Sequence, residues 1–388
     1  MEIPPRQHSD HCPGIIVLFH FFKALLCLYV VARFLWPLPW PKWLKAVMAV
    51  TLMVVFQHSL ISRLVFGTMF SPEVPRTVMI AVNWLAGIVL FVAILQLIVD
   101  LGGLVLSAVR RRRLRVPTVL RYGIGAVAVS LAAFAVSQAI RVPPVKEIEI
   151  RIKNLPPQFD GYRMIQLTDL HISRLFQAPW VEETVARANA QNADLIVITG
   201  DLIDGTLQAR NLDVAPLAKL RAKDGVFTIP GNHEYYFGHD DWMRRYETLG
   251  LRTISNSHVV LSRGDAQLTL AGVNDLNATR FGLEGPDIAK ALQGAPEQAP
   301  VILLNHQPRD AALASQAGVS LQLSGHTHGG MIAGFDRLVA RFNNGFVSGL
   351  YDVAGMPLYV NNGTALWIGF ALRLGVPSEL TVITLRPA

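Results

Sequence analysis

Four long apolar segments, Ile15–Trp36, Trp43–Phe66, Val78–Leu106 and Val119–Ile140, constrain this chain more than any other feature. Each supplies the roughly 20 helical residues that carry a backbone across a hydrocarbon layer. They account for a composition with 51% hydrophobic and only 16% charged residues, where a soluble domain carries about 25% charged residues. The apolar excess ends near residue 140 of 388. We therefore expect an all-α transmembrane domain of four helices over residues 1–141 and a separate domain over 142–388.

Lys23, Arg63 and Asp100 interrupt these segments without removing any of them. His20 and Lys23 could mark a polar pathway, but such residues more often face helix neighbours or snorkel. The first segment lacks the basic start and small-residue cleavage site of a signal peptide, so it is read as a retained helix. Trp36, Trp40 and Trp43 surround Pro37, Pro39 and Pro41 and read as interfacial anchors. Arg110, Arg111, Arg112, Arg113 and Arg115 fill the third link, and Arg33, Lys42 and Lys45 flank the first. Basic short links stay cytoplasmic. The second link sets Glu73 against Arg76, and the N-terminal stretch sets Glu2 and Asp10 against Arg6, so neither is strongly basic. The C-terminal domain is accordingly expected outside the cytoplasm. The same arginines explain the net charge of +7 as a topology signal, and no nucleic-acid partner is expected. Cys12 and Cys27, both N-terminal, form neither a disulfide framework nor a cysteine metal site.

After Val142-Pro143-Pro144-Val145, a stiff junction, the chain alternates apolar strands with helices. Strands are predicted at Lys146–Ile152, Tyr162–Leu167, Leu195–Ile198, Gly225–Ile229, Val259–Leu261, Gln267–Val273, Val301–Leu304, Ser320–Leu323, Pro357–Val360 and Thr381–Leu385. Helices are predicted at Val181–Gln191, Asp213–Ala222, Asp240–Leu249, Asp287–Leu292 and Arg309–Gln316. This is an α/β pattern, whose ligand sites collect at the carboxyl ends of strands.

Five of those strand ends carry polar clusters. In order they are Asp169 and His171, Asp201 and Asp204, Asn232 and His233, His306, and His326 and His328. Each alone is a common turn or cap; five in this order, each after a predicted buried strand, are not independent accidents. Carboxylate and imidazole donors suit Mn, Fe or Zn in the +2 state, and the lack of thiolates argues against a structural zinc site. Two ions about 3.5–4 Å apart need a shared anionic ligand, lower the pKa of bound water and orient a phosphoryl group.

The ordered set Asp-x-His, Gly-Asp-x-x-Asp, Gly-Asn-His-Glu, His and Gly-His-x-His resembles the calcineurin-like metallophosphoesterases over about residues 145–388. Asn305-His306-Gln307-Pro308, Gly325-His326-Thr327-His328-Gly329-Gly330 and the late Arg373…Pro377-Ser378-Glu379-Leu380 are most similar to a bacterial, membrane-anchored branch. The resemblance implies a four-layer α/β/β/α sandwich with two facing mixed sheets, in a protein of the bacterial inner membrane. It implies two divalent metal ions: Asp169, His171 and His328 would hold the first, Asn232, His306 and His326 the second, and Asp201 would bridge them. It also implies that His233 acts as general acid or transition-state donor, oriented by Asp204, while a bridging hydroxide attacks phosphorus in line. Two departures stand out. Met331 occupies a position where many relatives carry glutamine, and Gly205-Thr206-Leu207 replaces the arginines of phosphoprotein phosphatases.

The substrate implied is a phosphate ester, diester or monoester. Leu338, Val339, Phe342, Phe346, Val347 and Leu350, interleaved with Arg337 and Arg341, read first as a packed hairpin or loop. The sharper reading is a flexible amphipathic lid that admits an acyl chain, which together with four membrane helices suggests a phospholipid, a nucleotide-linked lipid or an envelope polymer as substrate. Two classes of function remain: a membrane-anchored metallohydrolase, and a sensor or transporter that uses the same fold as a binding module. Retention of the whole donor set and of His233 favours the enzyme.

Overall fold

The computed structural model describes residues 13–112 and 116–388. Glu2, Arg6, Asp10, Cys12, Arg113 and Arg115, used above, lie outside the described residues. The chain separates into two compact units, one running to Gln138 and including Ile368–Leu372, the other comprising Ala139–Trp367 and Arg373–Ala388.

The first unit is helical. Helix α1 (Pro13–Val30) runs on through a π-helical turn at Val31–Leu35, followed by α2 (Lys42–Phe56), α3 (His58–Phe66), α4 (Arg76–Val109) and α5 (Thr118–Ile140). Among the described residues three helices are long and apolar enough to cross a membrane, and α2 with α3 make a fourth only as a pair bent by 58°. The expected second span is therefore broken at Gln57. Its polar side chains explain the break: Gln57 donates to the His20 carbonyl at 2.8 Å, and the His58 ring nitrogens lie 3.0 Å from the Val55 carbonyl and 2.9 Å from that of Gly369. Arg33, Asp100 and Lys23 within the spans meet helix neighbours, which offsets the cost of placing them among apolar surroundings. Arg33 forks onto Asp100 at 2.9 and 3.1 Å, and Tyr29 and Gln96 donate to the same carboxylate. Lys23 donates to Ser59 at 2.8 Å and lies 5.4 and 5.2 Å from the rings of Phe19 and Phe56. Asn83 binds the turn at Ile368–Phe370 from both sides, donating to the Ile368 carbonyl at 3.0 Å and accepting the Ala371 amide at 2.7 Å.

The second unit contains β1 (Val145–Ile152), β2 (Arg163–Leu167), α6 (Ala178–Asn189), β3 (Leu195–Ile198), α7 (Leu207–Val214), β4 (Val226–Thr228), α8 (Asn232–Tyr236), α9 (His239–Thr248) and β5 (Arg252–Thr253). Then come β6 (Ser257–Arg263), β7 (Ala266–Gly272), α10 (Ile288–Leu292), β8 (Val301–Leu304), α11 (Ala311–Gln316), β9 (Leu321–Ser324), α12 (Asp336–Phe342), β10 (Gly349–Val353), β11 (Met356–Val360) and β12 (Leu380–Pro387). Two six-stranded mixed sheets result, ordered β1-β12-β2-β3-β4-β5 and β10-β11-β9-β8-β7-β6. Strand alternation builds the layers. Leu195 and Val197 of β3 and Ile302 and Leu304 of β8 point into one core shared by both sheets, whereas Val301 and Leu303 face Ala311 and Ala314 of α11 on the outer side. Ile196 and Ile198 turn away from the shared core and are fully buried, as are Val181 and Ala188 of α6 and Trp242 and Tyr246 of α9. The architecture is the α/β/β/α sandwich.

Three differences from the sequence reading have local causes. The helix expected at Asp213–Ala222 starts earlier, as α7, because Thr206 caps it by accepting the Ala209 amide, and it tightens into a 3-10 turn over Ala215–Lys219 that contains Pro216. The short α8 was hidden inside a motif that reads as pure turn. The stretch expected as a packed hairpin or lid is α12, none of whose residues is buried, followed by edge strand β10 paired with β11. Strands β2, β3 and β4 are mutually parallel, as are β8 and β9, so the carboxyl ends of each group lie side by side.

Candidate metal centre

The turns that follow these strands depend on backbone few residues tolerate. Asp169, His171, Asp201, His326 and His328 all have positive φ, between 41° and 70°. Left-handed non-glycine residues cost of order 1–3 kcal/mol each and gather at functional sites. Two glycines allow the turns to touch. A Cβ on Gly200 would lie 2.7 Å from the Gly231 backbone, and one on Gly231 would lie 2.2 Å from the Asp201 carboxylate. Backbone bonds stitch the turns together: Asp169 N–H to the Gly200 carbonyl (3.0 Å), His171 N–H to the Asp201 carbonyl (3.1 Å), and His233 N–H to Asp201 Oδ1 (2.8 Å).

The side chains converge in three overlapping groups whose donor atoms lie within 4.8 Å of one another: Asp169, His171 and His328; His171, Asp201 and His233; and Asp201, His306 and His326. His328 Nε2 is 3.2 Å from His171 Nε2 and 3.5 Å from Asp169 Oδ1. His306 Nε2 is 3.3 Å from Asp201 Oδ2 and 3.2 Å from Asn232 Oδ1. Asp201 Oδ2 is also 3.9 Å from His171 Nε2, so this one carboxylate is shared by both ends of the cluster. All nine residues singled out in the sequence are brought together here.

The donor chemistry fits cations. His306 Nδ1 faces the Thr199 carbonyl at 2.7 Å and His171 Nδ1 faces Asp204 Oδ1 at 3.0 Å. Both Nδ1 atoms therefore donate, which leaves each Nε2 free to offer a lone pair to a cation; where no cation binds, burial opposes charge on His306 but the Asp201 carboxylate holds its imidazole well above the usual pKa. Each Nε2 faces a further acceptor, an arrangement that needs a proton or a cation between them. Burial and the neighbouring His171 and Arg373 hold the His328 imidazole well below its usual pKa, in the neutral form a metal requires. Burial opposes charge on Asp201, yet the imidazoles of His306, His233 and His171 keep its carboxyl well below the ordinary range.

His233 differs from its neighbours. Burial works against its charge, but the Asp201 and Asp204 carboxylates outweigh it and lift the imidazole to about 9. Asp204 Oδ1 lies 2.5 Å from His233 Nδ1 and 3.0 Å from His171 Nδ1, so it orients two imidazoles, where the sequence reading gave it one. Glu234 and Arg373 received no role there. Glu234 accepts the amides of Asp201 (3.1 Å), Leu202 (2.7 Å) and Gly231 (2.7 Å) and the Tyr246 hydroxyl (3.0 Å). Its position, three residues after the helix N-cap at Gly231, is the spacing of a capping box, and that signal was available. Of the two departures, Met331 takes a positive φ of 63° beside the His328 turn, and Gly205 gives its carbonyl to Trp242.

This sandwich, with acidic, imidazole and amide donors on its strand ends, defines the metallophosphoesterase class. The calcineurin-like phosphoesterase family profile matches residues 162–330. The chain is 34% identical over 267 residues to a Danio rerio transmembrane protein with metallophosphoesterase domain, covering 66% of this chain and 61% of that protein. It is 36% identical over 247 residues to a metallophosphoesterase of Helicobacter pylori, covering 63% of this chain and 64% of the relative. It is 31% identical over 247 residues to the metallophosphoesterase YkuE of Bacillus subtilis, covering 62% of this chain and 84% of the relative. The chain belongs to the calcineurin-like phosphoesterase family. The match spans about three-fifths of the Danio rerio protein.

Proposed function

We propose that this chain is a membrane-anchored phosphoesterase whose C-terminal domain holds two divalent ions and hydrolyses phosphodiesters or phosphomonoesters. The observation that carries this reading is Asp201, whose carboxylate reaches toward His171 on one side and His306 on the other. Asp169, His171 and His328 form the first donor set, and Asn232, His306 and His326 the second. Bound Mn, Fe or Zn would supply Lewis acidity toward the phosphoryl oxygens and an activated water. The protein positions the rest. Asp204 fixes the Nδ1 proton of His233, which leaves Nε2–H to donate to the departing oxygen.

The substrate we favour is lipid-linked. Leu338 and Phe342, one helical turn apart on α12, are 62% and 69% exposed, and Arg337 and Arg341 flank them. Such a face suits an acyl chain and an anionic headgroup together. The arginines at the end of α4 support an inner-membrane protein with this domain outside the cytoplasm.

The test is hydrolysis of a chromogenic phosphodiester by the full chain with added Mn²⁺. Asp201→Asn is expected to lower the rate on the order of 100-fold or more, about 2.7 kcal/mol of barrier. A rate equal to the parent's would remove Asp201 from the bridging position.

A further inference from the structure

Arg373 is 1% exposed, and no carboxylate lies within ion-pair distance of it among the described residues. Its guanidinium is spent on backbone carbonyls. Nη1 donates to those of His328 (3.1 Å) and Val376 (3.2 Å), and Nη2 to those of Asn362 (2.5 Å) and Ala365 (3.1 Å). A planar fork of donors is what joins several carbonyls at fixed angles, and an ammonium is no substitute.

The backbone it gathers carries one half of the site. The Ala365 amide donates to the Asp169 carbonyl at 3.0 Å, and the Thr364 amide to that of Thr168 at 2.8 Å. Just before them Gly363, at φ +85°, presses against two donor residues: a Cβ there would lie 2.9 Å from His328 Nδ1 and 3.2 Å from Asp169 Cβ. Arg373 thus ties the backbone of His328 to the turn that supports Asp169. Of the other half, His306 rests on the Thr199 carbonyl and the Gly231 turn before Asn232 rests on Glu234; only His326 shares the His328 turn, its amide donating to the Asp169 carboxylate at 3.0 Å.

We propose that Arg373 is a positioning residue for the Asp169–His171–His328 half of the centre, and that its loss weakens cation binding in that half alone. The inference rests on the two-ion reading above. A guanidinium beside a cation site is electrostatically unfavourable, which gives the proposal a sign. If Arg373 acted through charge, removing it would tighten the ion; as a clamp, removing it loosens the ion.

Mn²⁺ titration of the full chain in detergent, with thermal melting alongside, tests this. The parent is expected to bind two ions. Arg373→Gln should retain one at parent affinity and hold the other about 10- to 100-fold more weakly, the range for residues that orient metal ligands. Adding His328→Ala should lose no further ion, whereas adding Asn232→Ala should leave none tightly bound. Should the glutamine variant not fold, Arg373→Lys, which keeps the charge and stem, is expected to show the same selective loss. Two ions at parent affinity, equal weakening of both, or tighter binding would each overturn the clamp, and a lower melting temperature with both ions retained would reduce Arg373 to a structural residue. If the parent takes up a single ion, the two-ion reading falls, and the clamp stands or falls on whether Arg373→Gln loosens that ion.

Discussion

At Glu234 a single carboxylate neutralises three backbone donors in two turns and a tyrosine hydroxyl behind them. Glutamine there keeps the shape but turns an N–H pair toward donors that need an acceptor, and each buried donor left unpaired costs about 1–3 kcal/mol. Glu234→Gln is therefore expected to destabilise the domain by roughly 2 kcal/mol. It should also slow Mn²⁺-dependent hydrolysis, because Asp201 sits on the turn it supports. Melting curves and steady-state rates check both, and a variant that melts with the parent would show that these bonds hold nothing. The same residue marks a limit of sequence reading. Asp169, His171, Asp201, Asn232, His306, His326 and His328 announce themselves by residue type after apolar strands. Glu234 and Arg373 bind backbone groups, which every residue carries; the capping-box spacing points to one partner of Glu234, the Gly231 amide, and no side-chain pattern points to the others.

Among elements, α12 departs furthest from expectation. Seven residues with no buried face form a helix between a donor turn and an edge strand. The backbone of its first residue packs against Gly330, where a Cβ would lie 2.6 Å from Asp336 Cα. If α12 meets acyl chains, replacing Leu338 and Phe342 together by serine removes two partly buried apolar contacts. That is expected to raise KM for a vesicle-embedded phosphodiester about tenfold, from roughly 1.4 kcal/mol of lost burial. Turnover of a soluble chromogenic ester should not change. Parallel changes on both substrates, or none on either, would count against the lipid-linked reading. The break between α2 and α3 taught the complementary lesson. Hydropathy averages over a window, whereas a bend is set by where a few polar side chains, here Gln57 and His58, find their partners.

Across the whole molecule, lone pairs and carboxylates converge at one edge of the sandwich, and cations are the natural means of offsetting their repulsion. Removing divalent ions with a chelator is expected to lower the melting temperature of the C-terminal domain, and Mn²⁺ should restore it. At 100 times the dissociation constant each ion adds about 2.7 kcal/mol to the folded state. Melting that ignores both chelator and Mn²⁺ would argue that no cation binds there. Much of the plan was local and hence legible. Apolar segments longer than a bilayer, buried strands such as Leu195–Ile198 and the polar turn after each are written in consecutive residues, because burial and turn chemistry act over a few positions. What tertiary structure alone decided is non-local. Asp169 meets His328, and Asp201 meets His306, only because strands from two sheets end at the same edge. Asp204 serves two imidazoles, and Arg373 collects carbonyls from three segments, because packing brings those atoms within hydrogen-bond reach. Sequence determined which groups could take part in the chemistry; the three-dimensional contacts decided which of them face one another.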